Sequence, residues 1–487
     1  MKADIVIKNG LICTNNGIVK GAIAAKDGII TAIGSDNEMP ESEKTYDAKG
    51  LLVMPGVIEP HCHLGLDKNP DGSVKGVERY YEDVKSESQA AAVGGVTVIN
   101  TTVEGNGPNG VKVTGVKNKI NNAKGAIENA YVDMRYYLGV GNDGEVDEFN
   151  ELRKEGFLST AKFFLGYKGA SAKIFGHPEE GYTNDFIYRA FTKLASQPGP
   201  VKAMIHCEDP DIMKEVSAPI EKEEPIGCNY IDIFNRSHPG VCEVMDLCKV
   251  AYIGRLTGCP VYIVHISAKE TVEQLEYFLS KGFDITGETC LHYLMFSTED
   301  KKAYTDIDWN HQAKVNPPIR TMSDKDMLWE GIRKGIITCI GTDTTNYSYH
   351  TNAIGGDFWK AQPGCGDGMS VLMTAMYSEG VNKGKISINE FVKLMSENPA
   401  RALGMYPQKG ALKVGADLDA VIFDPHKKWT FDSTKTYSTH EGSLYDGMEF
   451  TGKPMATFVR GNLVAENGKI VAEKPLGEFV KVSSAAV

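Results

Sequence analysis

Five apolar runs in this sequence each deliver a side chain that can bind a metal or carry a proton. VMPGVIEPHCH (53–63) ends on His61 and His63, and TAKFFLGY (160–167) carries Lys162 and Tyr167. KAMIHC (202–207) carries His206, VYIVHIS (261–267) carries His265, and ITCIGTD (337–343) ends on Asp343. Neutral imidazole is a good ligand for zinc and similar divalent ions. Residues i and i+2 of a strand point to one side, so His61 and His63 can face a common site while Cys62 faces away. One histidine after an apolar run is more often a core or loop residue. Five such endings in one chain ask for a shared explanation. Four histidines and a carboxylate exceed what a single tetrahedral catalytic zinc with an open position uses. The surplus points to two ions, which together can clamp and activate one water.

Something must bring these run ends together. Three further apolar runs, VTVINTT (96–102), VDMRYYLGV (132–140) and FDITGETC (283–290), bring the number to eight. Helical patterns lie between many of them, such as YYEDVKSESQAAAVG and ETVEQLEYFLSKG, each stopping near a glycine. Eight strands alternating with helices predict an α/β fold, a (β/α)8 TIM barrel with insertions. In a barrel, chemistry sits at the C-terminal ends of the strands, where the candidate residues fall. A doubly wound open sheet is the competing arrangement, but the chain lacks the glycine fingerprint that fold uses for a dinucleotide. The first fifty residues (DIVIKNGLICT, GAIAAKDGIITAIG) and the last eighty (DLDAVIFDP, ATFVRGNLVAENGKIVAE) read as short strands, with Asn-Gly and Asp-Gly as hairpin signals. The two ends are expected to meet in a small β-sandwich domain of residues 1–54 and 405–487, leaving 55–404 for the barrel.

Composition excludes several other classes. The 487 residues are 42% hydrophobic and 24% charged, which suits a globular protein with a large core. A formal charge of −12 speaks against a nucleic-acid surface, which needs clustered Lys and Arg. No apolar stretch approaches the ~20 residues needed to span a bilayer. The N-terminus MKADIVIKNG has no apolar signal-peptide core. The ten cysteines are scattered without a CxxC pair, so reduced thiols and a cytoplasmic location are expected.

The motifs PGVIEPHCH, LSTAKFFLGYKG, AMIHCED, YIVHIS, GETCLHYL, AKVNPPIR, IGTD and KVGADLDAVIFDP, in this order, resemble the amidohydrolase superfamily along essentially the whole chain. Within it the likeness is to the cyclic amidohydrolases: dihydropyrimidinase and hydantoinase first, then allantoinase and dihydroorotase. The resemblance implies a metal-dependent hydrolase that opens a cyclic amide, imide or ureide ring, with a hydroxide bridging two divalent ions, expected to be Zn2+, as nucleophile. It implies that His61, His63 and Asp343 hold one ion and His206 and His265 the other. Lys162 is then N6-carboxylated and bridges both; a free ammonium has no lone pair for a metal, whereas a carbamate offers two oxygens. Two ions offset by carbamate, Asp343 and hydroxide keep a net charge of about +1, which attracts a carbonyl oxygen. Asp343 is also implied as the proton carrier and Tyr167 as a donor to the carbonyl oxygen. Asn316 is implied as a substrate contact; His292 is either another or a cap on its strand. The family's dimers and tetramers imply a homo-oligomer, and the tail GEFVKVSSAAV resembles extensions that cross between subunits.

Departures bear on the substrate. Dihydroorotase carries an arginine where this chain has Gly65, which disfavours that activity. The loop LGLDKNPDGSVKG is polar, and Pro363 stands near where the hydantoinase branch has an asparagine. An allantoinase-like ureide hydrolase is therefore an alternative. A non-catalytic dihydropyrimidinase-like scaffold is disfavoured because all six ligand positions are retained. Lys168 competes with Lys162 on residue type alone. Cys207 and Cys290 are expected to be packing residues, the run EKEE (221–224) a solvated face, and His177, His238, His311, His350, His426 and His440 surface or structural residues.

Overall fold

The computed structural model describes residues 2–14, 17–65, 76–103, 113–169, 172, 179–346 and 356–482. The chain opens with β1 (Ala3–Thr14), β2 (Gly17–Lys26), β3 (Ile29–Gly34), β4 (Ser42–Asp47) and β5 (Leu52–Pro55). β1, β2 and β3 run antiparallel in turn, while β4 and β5 pair parallel to β1. Asp27-Gly28 makes the expected tight turn, both residues having positive φ. Asn9-Gly10 does not. β1 runs straight through it as a bulge, with Asn9 at φ 55° and the register shifting between Ile7 and Gly10. Position 10 also has to be glycine, since a Cβ there would lie 2.5 Å from Val53. The tertiary pairing with β5 overrides the local turn signal.

The run expected to be one strand divides at Gly56. Before it, β5 belongs to the first sheet. After it, β6 (Val57–Cys62) opens the barrel. A Cβ on Gly56 would meet Thr97 at 2.0 Å, so only glycine lets the chain cross there. The barrel continues with β7 (Val96–Thr102), β8 (Asp133–Gly139), β9 (Thr160–Phe164), β10 (Lys202–His206), β11 (Val261–Ile263), β12 (Ile285–Cys290) and β13 (Ile337–Gly341), each parallel to its neighbour. All seven residues of β7 and of β8 are buried, as strands covered on both faces require. Helices such as Val77–Gly94, ended by Gly95 at φ 86°, and Lys269–Ser280 cover the outside.

The barrel closes between β13 and β6. Asp343 N donates to His61 O (3.0 Å), His63 N donates to Thr344 O (2.7 Å), and His63 bridges Thr345 in parallel. This closure excludes the open-sheet alternative, and it stitches two candidate ligand segments together through their backbones.

β14 (Ala420–Thr430), β15 (Glu449–Val459), β16 (Asn462–Glu466) and β17 (Lys469–Ile470) return to the first sheet. β14 pairs with β5, completing nine strands in which both ends of the chain meet. Ile5, Ile7 and Ile23 pack there against Ile422 and Phe458. As far as Val482, the C-terminal tail docks on its own barrel rather than extending away. Val480 N and Met134 O bond at 2.9 Å, buried Arg135 donates to Phe157 O and Val480 O, and Phe479 stacks on Phe157 at 4.4 Å. The guanidinium needs those carbonyls, which ties the tail down.

Glu87, fully buried on the helix Val77–Gly94, accepts from Ser438 Oγ at 2.7 Å. Burial pushes its carboxyl up to about 8. A carboxyl raised in this way favours the fold fully below its unfolded value, and the contribution is lost as pH rises from about 4.5 to 8. Glu87→Gln is expected to match the parent in unfolding near pH 4.5 and to exceed it at pH 8, by roughly 4 kcal/mol. Equal curves at both pH values would refute this.

Candidate metal centre

The six expected ligands converge at the C-terminal end of the barrel. Lys162 lies within β9, and its Nζ is 2.8 Å from His61 Nε2. Asp343 Oδ1 is 3.2 Å from His63 Nε2 and 3.7 Å from His61 Nε2. His206 closes β10, and its Nδ1 is 2.9 Å from His265 Nε2. The His61 and His265 rings, 5.6 Å apart, join the two groups. His265 and Asp343 stand just beyond their strands with φ 40° and 51°, so a left-handed turn, not the strand, aims each side chain inward.

Neighbouring side chains set the imidazole tautomers. Tyr137 donates its hydroxyl to Cys62 O (2.8 Å), which leaves its oxygen to accept from His63 Nδ1 (3.0 Å). Glu208 faces His206 Nε2 at 3.0 Å, and Glu288 faces His61 Nδ1 at 3.3 Å. His63 Nδ1 and His206 Nε2 are thereby the protonated nitrogens, and their opposite nitrogens turn lone pairs toward the centre; His61 Nδ1 makes no hydrogen bond among the described residues. Asp343 Oδ1, buried, makes no hydrogen bond among the described residues. Ligand atoms of His61, His63 and Asp343 lie within 4.8 Å of one another, an arrangement that favours a cation among them, and Lys162 Nζ already stands 2.8 Å from His61 Nε2. Burial, reinforced by the Lys162 ammonium and the other imidazoles, holds His61 neutral well below its usual range; burial, His206 and Lys162 do the same for His265. Burial also brings Lys162 down to about 8, against the pull of Asp343 and Glu288.

Above this cluster opens a cavity. Phe164, Tyr167, Val315, Asn316, Pro363 and Gly364 form its walls over the ligands. The Tyr167 ring lies 5.1 Å from that of His206. Asn316 Oδ1 is buried without a donor among the described residues. His292, in the short helix Leu291–Met295 that follows β12, is fully buried and does not line the cavity; neither ring nitrogen has a hydrogen-bond partner among the described residues, and burial lowers it to about 4. Lys168 points away, its Nζ 2.7 Å from Asp211 on the surface. Cys207 and Cys290 are core residues. His440 is buried against Gln312, and His238 and His311 face main-chain carbonyls. His177, His350 and the loop LDKNPDG lie outside the described residues.

A family model described as the Amidohydrolase family matches residues 52–464. The chain belongs to the amidohydrolase family. This amidohydrolase is 29% identical over 478 residues to the L-hydantoinase of Paenarthrobacter aurescens, covering 98% of both chains. It is 28% identical over 488 residues to the allantoinase of Escherichia coli strain K12, covering 99% of both. Its fold matches the solved structure of L-hydantoinase (dihydropyrimidinase) from Arthrobacter aurescens with a TM-score of 0.84 at 28% identity, covering 98% of this chain and 100% of that one. The family implies a centre of two divalent ions. The donor set of this amidohydrolase fits one, with two tautomer-fixed imidazoles, two more beside them and a carboxylate oxygen lacking a donor among the described residues.

The reading of the sequence missed the residues behind the ligands: Glu59, Tyr137, Glu208 and Glu288. Glu59 accepts from the backbone of His61 (2.9 Å) and of Thr342 (3.1 Å), so one buried carboxylate ties the first and last barrel strands. Glu59 and Glu208 each lie two residues from a ligand, a spacing that could have flagged them. Tyr137 and Glu288 come from other strands and carry no local signal.

Proposed function

We propose that this chain opens cyclic amide rings of the hydantoin, dihydropyrimidine or ureide type by hydrolysis, with His61, His63 and Asp343 holding one divalent ion, His206 and His265 a second, and carboxylated Lys162 both. The observation that carries it is the set of converging ligand atoms of His61, His63 and Asp343 beneath an open cavity. Bound there, two ions would supply an acidified water and polarise a carbonyl oxygen. The Asp343 carboxylate accepts the proton that the attacking water gives up and returns it to the ring nitrogen as the C–N bond breaks. Tyr167 donates its hydroxyl to the carbonyl oxygen as negative charge develops. Asn316 contacts the ring, its Oδ1 having no donor among the described residues. Burial favours the neutral amine of Lys162, the form that reacts with CO2. Zinc as the metal, a cytoplasmic setting and a dimeric or tetrameric assembly belong to the same proposal. So does the division into a 55–404 unit and a 1–54 plus 405–487 unit, which the change of sheet at Gly56 supports.

Gly65 bears on the substrate. It has φ 78°, and a Cβ there would lie 2.6 Å from Tyr80. An arginine for a substrate carboxylate does not fit, so carboxylated rings should be poor substrates. The test is turnover of hydantoin, dihydrouracil, allantoin and dihydroorotate by the metal-loaded protein. Opening of one of the first three is expected, with dihydroorotate turned over least; turnover of none would overturn the proposal. Tyr167→Phe should lower kcat by about 100-fold with little change in KM. An unchanged kcat would reduce Tyr167 to a wall residue.

A further inference from the structure

One part of the cavity wall does not come from the ligand-bearing strand ends. Val315 and Asn316 lie on one segment, Pro363 and Gly364 on another. Lys314 joins the two. Its side chain is only 4% exposed. Its Nζ donates to three main-chain carbonyls, Phe358 O (2.8 Å), Trp359 O (3.2 Å) and Ala361 O (2.7 Å). Its own carbonyl accepts from Gly364 N at 2.8 Å. An ammonium has three N–H donors and no acceptor, so three converging carbonyls satisfy it completely. The Phe234 and Phe358 rings lie 5.4 and 5.0 Å from Nζ and face the charge. No neutral side chain of this length offers three donors to one point.

Beyond Gly364 the segment is tied again, because Thr345 N donates to Cys365 O at 2.9 Å. The 358–365 stretch is thus held at one end by Lys314 and at the other by the segment that follows Asp343. Between these ties lie the two residues that face the cavity.

We propose that Lys314 is a positioning residue that sets the width of the ring pocket, by pinning the 358–361 carbonyls and Gly364 so that Pro363 and Gly364 stand at a fixed distance from Asn316. It touches neither substrate nor metal ligands. It decides which ring fits, and so bears on substrate choice where the known relatives diverge. The inference rests on the cavity being the substrate site.

Lys314→Met keeps the length and apolar stem but removes the donors. It should retain the parent's bound metal, speed amide exchange in 358–365 by at least about tenfold without doing so in the barrel strands, and raise KM at least about tenfold with kcat within about threefold. The ratio of kcat/KM between a five-membered and a six-membered ring should shift. Lys314→Ala should be rescued by propylammonium, which replaces the missing atoms, and not by 1-propanol at equal concentration. Unchanged exchange and an unchanged KM in Lys314→Met would overturn the proposal. So would accelerated exchange throughout the barrel with loss of metal, because Lys314 would then be a general fold residue. If the parent opens no ring, the reading of the site fails, while local exchange and its propylammonium rescue still decide whether the clamp exists.

Discussion

Asp343→Asn is expected to retain most of its bound metal and to lose about 10,000-fold in kcat. The amide keeps an oxygen near the place of Oδ1, 3.2 Å from His63 Nε2, so a metal donor remains. It cannot take up a proton. The attacking water then has no base beside it, and the ring nitrogen leaves without the proton it needs. Metal analysis with steady-state kinetics on one preparation checks both halves. Full activity with metal retained would show that Asp343 only binds metal. Loss of both together would leave the proton role undemonstrated and the ligand role intact.

Lys162→Ala is expected to have the other large effect, with bound metal falling below one ion per chain and activity falling by more than about 1,000-fold. Lys162 is fully buried, and its Nζ is 2.8 Å from His61 Nε2. A permanent ammonium there would compete with metal ions for the inward-facing donors and could not itself bind metal. A carbamate instead adds two anionic oxygens to the donor set, which strengthens its hold on divalent cations. Growth in 13C-bicarbonate should give the parent protein a carbamate carbon signal that Lys162→Ala lacks, and a short carboxylic acid should restore part of the activity of the variant. A variant that binds two ions and turns over normally would remove Lys162 from the centre.

Much of this site was legible because strand periodicity and ligand chemistry are both local. Apolar runs that end in His61 or His206, or carry Lys162, identify strands with no knowledge of neighbours. The alternation of His61, Cys62 and His63 gives the facing of each side chain. His265 and Asp343 were found by type, although they sit on left-handed turns beyond their strands rather than at strand ends. What could not be read depends on pairings between distant segments. Glu288 comes within 3.3 Å of His61 Nδ1 from β12, and Tyr137 orients His63 from β8. Neither proximity exists until the barrel closes. The same holds for Asn9-Gly10, whose turn signal is overridden because β5 packs against Gly10. It holds for the tail, which Arg135 and Phe157 hold on the barrel. Substrate choice falls in this second class, since Lys314 acts through carbonyls of a segment more than forty residues away.

On the proposed function, the amide bond is hydrolysed at a two-ion centre built by these six side chains. Stepwise reloading of chelator-treated protein with zinc in bicarbonate tests it most directly, with bound metal per chain and ring-opening rate measured on the same samples. The rate should be at background without metal and should rise to a plateau at two ions per chain. Full activity in the metal-free protein, or no ring opening with two ions bound, would contradict it.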